Sequence, residues 1–419
     1  MLPKFHSSVI PNSIIVWSAL VVPALAADWP QFLGPDRNGH STEVGLVDRI
    51  DDQRPIELWR QPMVGGMSGI AVVDGRLLTL SQSEGKQWLM NLDASTGKMN
   101  WKTPLADEFQ NAMGHGPRST PTVAGERVFA YTGEGILVAV GLADGQIHWS
   151  VNLPLELKCK IADYGMACSP LAVDTMVIVH VGSQEGAVVA LDQKTGDIRW
   201  KAGADAAGYS SPVLMTLHGK KQIVSFLGGQ VLGIEPKGGQ VLWSYPFQTE
   251  YYCNTACPIA VGDAVLISAG ENHGTVLLKL ETSGDSWTVS EGWKTLGTSS
   301  SLRSEWQTPI LIDGALYGFD NSGSAGPVTH LVCLDAKTGK QQWKQLRFGK
   351  GNCIAADGKL IVTTTKGEII LVQANDQAFE ELGRKTVIGF TRQAPALSNG
   401  KLYLRDDAEI VCLDFRKPH

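Results

Sequence analysis

Eight times along the chain a short apolar run, a two- or three-residue turn bearing Asp or Gly, and a second apolar run follow one another. They read IAVVDGRLLTL (70–80), PTVAGERVFAY (121–131), PLAVDTMVIVHV (170–181), PVLMTLHGKKQIVSF (212–226), PIAVGDAVLIS (258–268), PILIDGALYGF (309–319), CIAADGKLIVT (353–363) and PALSNGKLYLR (395–405). Each is the pattern of a β-hairpin: apolar strands broken by residues that tolerate a tight turn. A third apolar run follows each hairpin, so the pattern predicts strands throughout and no long helix.

After the third run comes a second repeating signal. LDASTGKMNW (92–101), LDQKTGDIRW (191–200) and LDAKTGKQQW (334–343) are near copies, with GLADGQIHW (141–149) and IEPKGGQVLW (234–243) as looser versions. The Asp side chain can accept backbone N–H groups inside the turn while Gly supplies the positive φ that closes it, so the spacing predicts a hairpin between a third and a fourth strand. The terminal Trp recurs at Trp59, Trp101, Trp149, Trp200, Trp243, Trp293 and Trp343, a period of roughly 47 residues, which suits one blade of a β-propeller. These indoles read as structural, each tucking against the next blade and bonding a backbone carbonyl.

The two ends complete one another. The last repeat stops after IVCLD (410–414) with no fourth strand, and ELWRQPM (57–63) is a fourth strand with no blade before it. The expected fold is therefore all-β, an eight-bladed propeller of four-stranded antiparallel blades over 56–418, closed by pairing of the N-terminal strand with the C-terminal blade. Closure removes the open sheet edges that invite aggregation. Residues 27–55 read as an extended segment outside the blades, Gly34 and Pro35 favouring a path across the surface.

Composition narrows the function. Of 419 residues 43% are hydrophobic and 19% charged, with a formal net charge of -6, so no basic stripe suggests nucleic acid. Residues 1–26 have a Lys, an apolar core and the small-residue pattern Ala24-Leu25-Ala26, the form of a cleavable signal peptide. No Cys stands at that site to carry lipid, and no later apolar run is long enough to span a bilayer, so the mature chain is expected in the periplasm or outside the cell. In an oxidising compartment the neighbours Cys159 and Cys168, and Cys253 and Cys257, are candidate disulfide pairs. Scattered His residues and the missing second ligand pair beside Cys253 and Cys257 suggest no metal site.

The Asp-x-x-Thr-Gly-x-x-x-Trp motif around one ring resembles the pyrroloquinoline-quinone (PQQ) repeat propellers, which include quinoprotein alcohol dehydrogenases and the outer-membrane assembly scaffold BamB. DWPQFLGPDRNG (28–39) also resembles the opening of exported planctomycete-type PQQ-binding-like propellers. The resemblance implies either a non-catalytic envelope scaffold or a dehydrogenase that uses PQQ with Ca²⁺ on alcohols or sugars. The adjacent Cys pair that clamps the quinone in the enzymes is absent, as are a Cys-x-x-Cys-His haem motif and an insertion long enough to roof a site. A binding role is therefore the leading expectation, with an envelope protein or a planar, anionic or sugar-like ligand as partner. A dehydrogenase and a glycan reader using Tyr209, Tyr252 and Trp306 stand as alternatives.

In a propeller the crossings from each fourth strand to the next first strand meet at one face of the central channel. Those crossings contain His115, Arg118, Tyr164, Tyr209, Tyr252, Asn254, Arg303, Glu305, Trp306, Lys350 and Arg392, and a second-to-third turn adds Glu271 and His273. Aromatic rings beside Arg and amide groups can stack on and hydrogen-bond a planar or anionic ligand, so these are the candidate binding residues.

Overall fold

The computed structural model describes residues 27–323 and 328–418; the signal-peptide reading of 1–26 lies outside them. Among the described residues thirty-two strands form eight four-stranded sheets, seven of them meanders of consecutive strands. Blades 1 to 7 span 70–107, 122–152, 171–202, 213–246, 259–296, 310–345 and 351–386. Blade 8 takes three strands from 396–414, and its fourth is Ile56–Pro62. That strand runs antiparallel to Glu409–Asp414, from Ile56 opposite Asp414 to Pro62 opposite Glu409. The ring is thus shut by its own termini.

The third-to-fourth turns have the geometry their sequence requires. Asp93 accepts the amides of Ser95 and Thr96 at 2.9 and 2.8 Å, and Asp192 those of Lys194 and Thr195 at 2.8 and 3.1 Å. Gly97, Gly196 and Gly339 close three such turns at φ near +70 to +78°. Each of these glycines also lies against an indole of the preceding blade: a side chain at Gly97, Gly196 or Gly339 would strike Trp59, Trp149 or Trp293. The indole N–H of Trp59 donates to Ala94 O, of Trp149 to Gln193 O and of Trp293 to Ala336 O, at 3.0 to 3.1 Å. Trp101, Trp200 and Trp343 likewise donate to carbonyls of the next blade, Leu142, Pro236 and Asn375.

Trp243 is the exception. Blade 5 replaces the short turn with a long hairpin, Gly274–Ser283 paired with Ser286–Leu296, so no glycine platform faces Trp243. Its indole turns back over Gly233 and donates to the Gln222 side chain of its own blade at 2.6 Å. The fourth strand of blade 7 carries Gly383 where the others carry Trp, and Ile50 of the N-terminal segment approaches that backbone directly.

The apolar core is correspondingly a ring of layers between adjacent blades rather than one centre. The layer spanning blades 7, 8 and 1, at the closing seam, also takes Trp29, Leu46, Val47 and Ile50 from the N-terminal segment. Arg405 of blade 8, 1% exposed, crosses the same seam to Thr79 Oγ1 and Leu80 O of blade 1 at 2.7 and 2.6 Å.

Residues 28–50 differ from an extended surface path, because 31–37 coil in successive turns, with positive φ at Leu33, Gly34 and Arg37. Trp29 bridges Val72 beside a first-to-second turn, and His40 bridges Ala355 at another. Between them the Arg37 side chain enters the channel, donating to Ser169 O and Pro212 O at 3.0 and 3.1 Å, and to Pro170 O and Thr122 Oγ1. The segment covers the turn-side mouth of the channel.

Candidate functional site

With one mouth covered, the crossing face is where the channel meets solvent. On that face Trp306 has Lys350 Nζ 4.7 Å and the Arg392 guanidinium 5.4 Å from its ring centre. Such cation–π contacts hold the charges in place without neutralising them. Lys350 pairs with Glu305 at 2.7 Å. Burial pushes the Glu305 carboxyl up, and Lys350 opposes that shift. Tyr164, in the crossing between blades 2 and 3, and Tyr209, in the crossing between blades 3 and 4, pack at 5.6 Å, and the buried Tyr209 hydroxyl accepts the Tyr164 amide. Burial raises the Tyr209 phenol to about 12.

Several candidate residues are turned to internal work. Arg303 is 3% exposed and forked on Asp320 at 2.6 and 2.9 Å, with Lys344 on the same carboxylate at 2.7 Å. Its donors are therefore withdrawn from any ligand. Asn254 is fully buried and donates to the carbonyls of Leu227, Gly228 and Phe247, fixing the crossing between blades 4 and 5. Arg118 stacks over Phe109 and donates to Gly116 O and Gly114 O of its own loop, and burial lowers it to about 10. His273 packs edge-on against Phe247 at 4.5 Å, and burial lowers its pKa. Glu271 is half-buried beside it, whereas Tyr252 stands 44% exposed with a left-handed backbone, as does Tyr251 before it.

The two short-range disulfides are not formed: Cys159, Cys168, Cys253 and Cys257 are free thiols. In each pair one thiol faces the interior and its neighbour the crossing. Cys168 accepts the His180 amide, Cys257 is buried between blades, and Cys159 and Cys253 are half-exposed.

His115 and Arg392 share a cleft of about 200 Å³ whose other walls include Met67, Met113, Phe390 and Asp407. Asp407 lies in a second-to-third turn rather than a crossing, and Met67, Met113 and Phe390 are not found by looking for polar groups in the crossings. A usable signal is their appearance in otherwise polar loops, NAMGHG and IGFTR. The pattern is general: of fifteen exposed large apolar side chains among the described residues, eight lie in crossings (Val64, Met113, Leu155, Ile161, Tyr251, Tyr252, Leu346 and Phe390). Val44 alone of the fifteen belongs to the segment over the turn side, and the rest lie on outer strands. Just over half of the exposed large apolar side chains thus lie in the crossings.

No helix among the described residues is long and apolar enough to cross a membrane. Comparison with known proteins places the chain among propellers of two kinds. It is 21% identical over 310 residues to the outer membrane protein assembly factor BamB of Yersinia pestis, covering 73% of this chain and 75% of that one. To the Escherichia coli protein of that name it is 22% identical, over 68% and 71% of the two chains. Among solved structures it superposes on the quinohemoprotein alcohol dehydrogenase of Comamonas testosteroni with a TM-score of 0.68 at 13% identity, covering 94% of this chain and 81% of the other. BamB from Moraxella catarrhalis gives 0.60 at 14% identity, over 86% and 100%. At such identities the superpositions speak for the fold. A family model described as outer membrane protein assembly factor BamB matches residues 43–158, 114–345 and 328–417. The chain belongs to this BamB family of PQQ-repeat β-propellers.

Proposed function

We propose that the chain is an exported, non-catalytic scaffold of the cell envelope whose crossing face docks a protein partner, in the manner that the name of its BamB relatives implies for them. The observation that carries the reading is the gathering of exposed apolar side chains in the crossings, opposite the mouth covered by residues 28–40. Met67, Met113 and Phe390 meet in one cleft there, and contiguous exposed apolar surface is costly in water and marks interaction sites. Partly exposed aromatics and methionines are the residues that anchor protein interfaces.

The residues at the channel mouth do not suit a quinone held with calcium. The Glu305 carboxylate is taken by Lys350, Asp320 is held by Arg303 and Lys344, and no three His, Cys, Asp or Glu side chains gather at metal-holding distance among the described residues. Calcium takes six to eight oxygen ligands, carboxylates among them together with carbonyls and water. A glycan reading relied on three rings, of which Tyr209 is buried and Trp306 carries two cations, leaving Tyr252.

The test is co-purification from a cell-envelope extract on immobilised protein. The doubly substituted Met113→Asp, Phe390→Asp chain should lose a saturable partner at unchanged melting temperature, whereas Met99→Asp, on an outer strand, should retain it. Equal retention by the face variant, or dye reduction with an alcohol after addition of PQQ and Ca²⁺, would overturn the reading.

A further inference from the structure

The cleft beneath Phe390 specifies more than a greasy contact. Arg392 lies between two rings, its guanidinium carbon 5.4 Å from the centres of both Trp306 and Phe390. Nη1 donates to Met113 O at 2.7 Å and to Met67 Sδ at 3.7 Å, which ties the head of the side chain to two neighbouring crossings, while Nε has no hydrogen-bond partner. A guanidinium has five N–H donors in a rigid fork, so this one is oriented through Nη1 while its Nε–Nη2 edge stays unspent. Among the described residues no carboxylate oxygen lies within ion-pair distance of it, although the neighbouring cations are committed: Lys350 to Glu305, Arg303 to Asp320, and Arg118 to the Gly114 and Gly116 carbonyls.

Size and lining narrow the ligand. About 200 Å³ falls below the range of small-molecule and cofactor sites, and accommodates one or two side chains. Met67 and Met113 form adaptable apolar walls. Asp407 on the same wall adds a negative charge that disfavours a dianion such as phosphate more than a single carboxylate.

We infer that this cleft receives one carboxylate side chain, Asp or Glu, with an adjoining apolar side chain, both presented by the docked protein. The inference rests on the docking role proposed above and names the chemistry recognised at its centre. The carboxylate takes the open fork of Arg392 while the apolar neighbour packs on Phe390 and Met113.

The probe is a random dodecapeptide library displayed on phage, selected on the wild-type chain and on Arg392→Met, with the best peptide then remade with Asn or Gln for its acid. Wild type should enrich peptides with Asp or Glu beside Phe, Leu or Met. The amide twin should bind about ten- to a hundredfold more weakly, the range for a hydrogen bond to a charged group. Arg392→Met should bind acid and amide peptides alike, and Arg392→Lys, which keeps the charge without the fork, should fall between and guards against a folding defect. Enrichment without acids, no enrichment at all, equal binding of the twin, or an acid preference surviving Arg392→Met would overturn the inference. If the envelope partner is still lost on Met113→Asp, Phe390→Asp while the acid preference fails, the docking face stands and this site falls. If neither is seen, both fall.

Discussion

At the scale of single residues the interior holds groups whose ionisation is set by burial. His180, on the second strand of blade 3, is fully buried near Ser210 of the crossing to blade 4, and desolvation pushes its pKa down to about 3. In the unfolded chain the same imidazole takes up a proton near pH 6.5. Between those values the unfolded state binds a proton that the native state refuses, so stability is complete above about pH 6.5 and is lost as the pH falls toward 3. Phe226 and Phe319 occupy the equivalent place in blades 4 and 6. His180→Phe should therefore fit and should flatten the decline of Tm between neutral and mildly acidic pH. An acid slope as steep as that of wild type would count against burial as its cause. Residue roles at the crossings were only partly readable from sequence. That Arg303 is spent on Asp320 depends on a partner 17 positions away on the second strand of blade 6, and that Asn254 serves three carbonyls depends on the path of the loop around it. A polar residue in a crossing looks the same in sequence whether it faces the ligand or the backbone.

At the scale of elements the repeat was legible because its signals are local. The Asp and Gly of each turn and the Trp four residues on lie within ten positions, and their geometry follows from hydrogen bonds made inside that span. Departures from the rule arise where the neighbouring element changes. Trp243 folds back because blade 5 offers a long hairpin instead of a glycine turn, and Gly383 stands free of Trp because Ile50 takes the approach. A methyl group at 383 would lie 2.0 Å from the Ile50 carbonyl oxygen, on a backbone with φ +121°. Gly383→Ala should thus cost about 1 to 3 kcal/mol and release residues 44–52 to protease while the blades stay folded. Unchanged protease resistance of that segment would contradict the packing described here.

At the scale of the whole molecule two devices hold the ring: the strand exchange in blade 8, and the Arg37 side chain joining blades 2, 3 and 4 from inside the channel. The first was evident from the incomplete ends. The second was not, since nothing in DWPQFLGPDRNG shows which way its Arg points, and the coiling of residues 31–37 comes from contacts with the ring. Buried and without a carboxylate, Arg37 is compensated by carbonyls that would themselves be left unpaired on its removal. Arg37→Met should lower stability by on the order of 3 kcal/mol, read as a lower Tm, and no change would show the contact to be dispensable. The covered mouth also gives the molecule a polarity, with one face closed by its own chain and the other open.

Hydrogen exchange of the chain with and without its co-purified envelope partner tests that polarity most directly. The account predicts slowed exchange in the crossings near residues 64–67, 111–116, 155–164, 250–253 and 388–392, and none at the turn-side segment 28–40. Protection confined to that segment or to the outer strands, with the crossings unaffected, would contradict it.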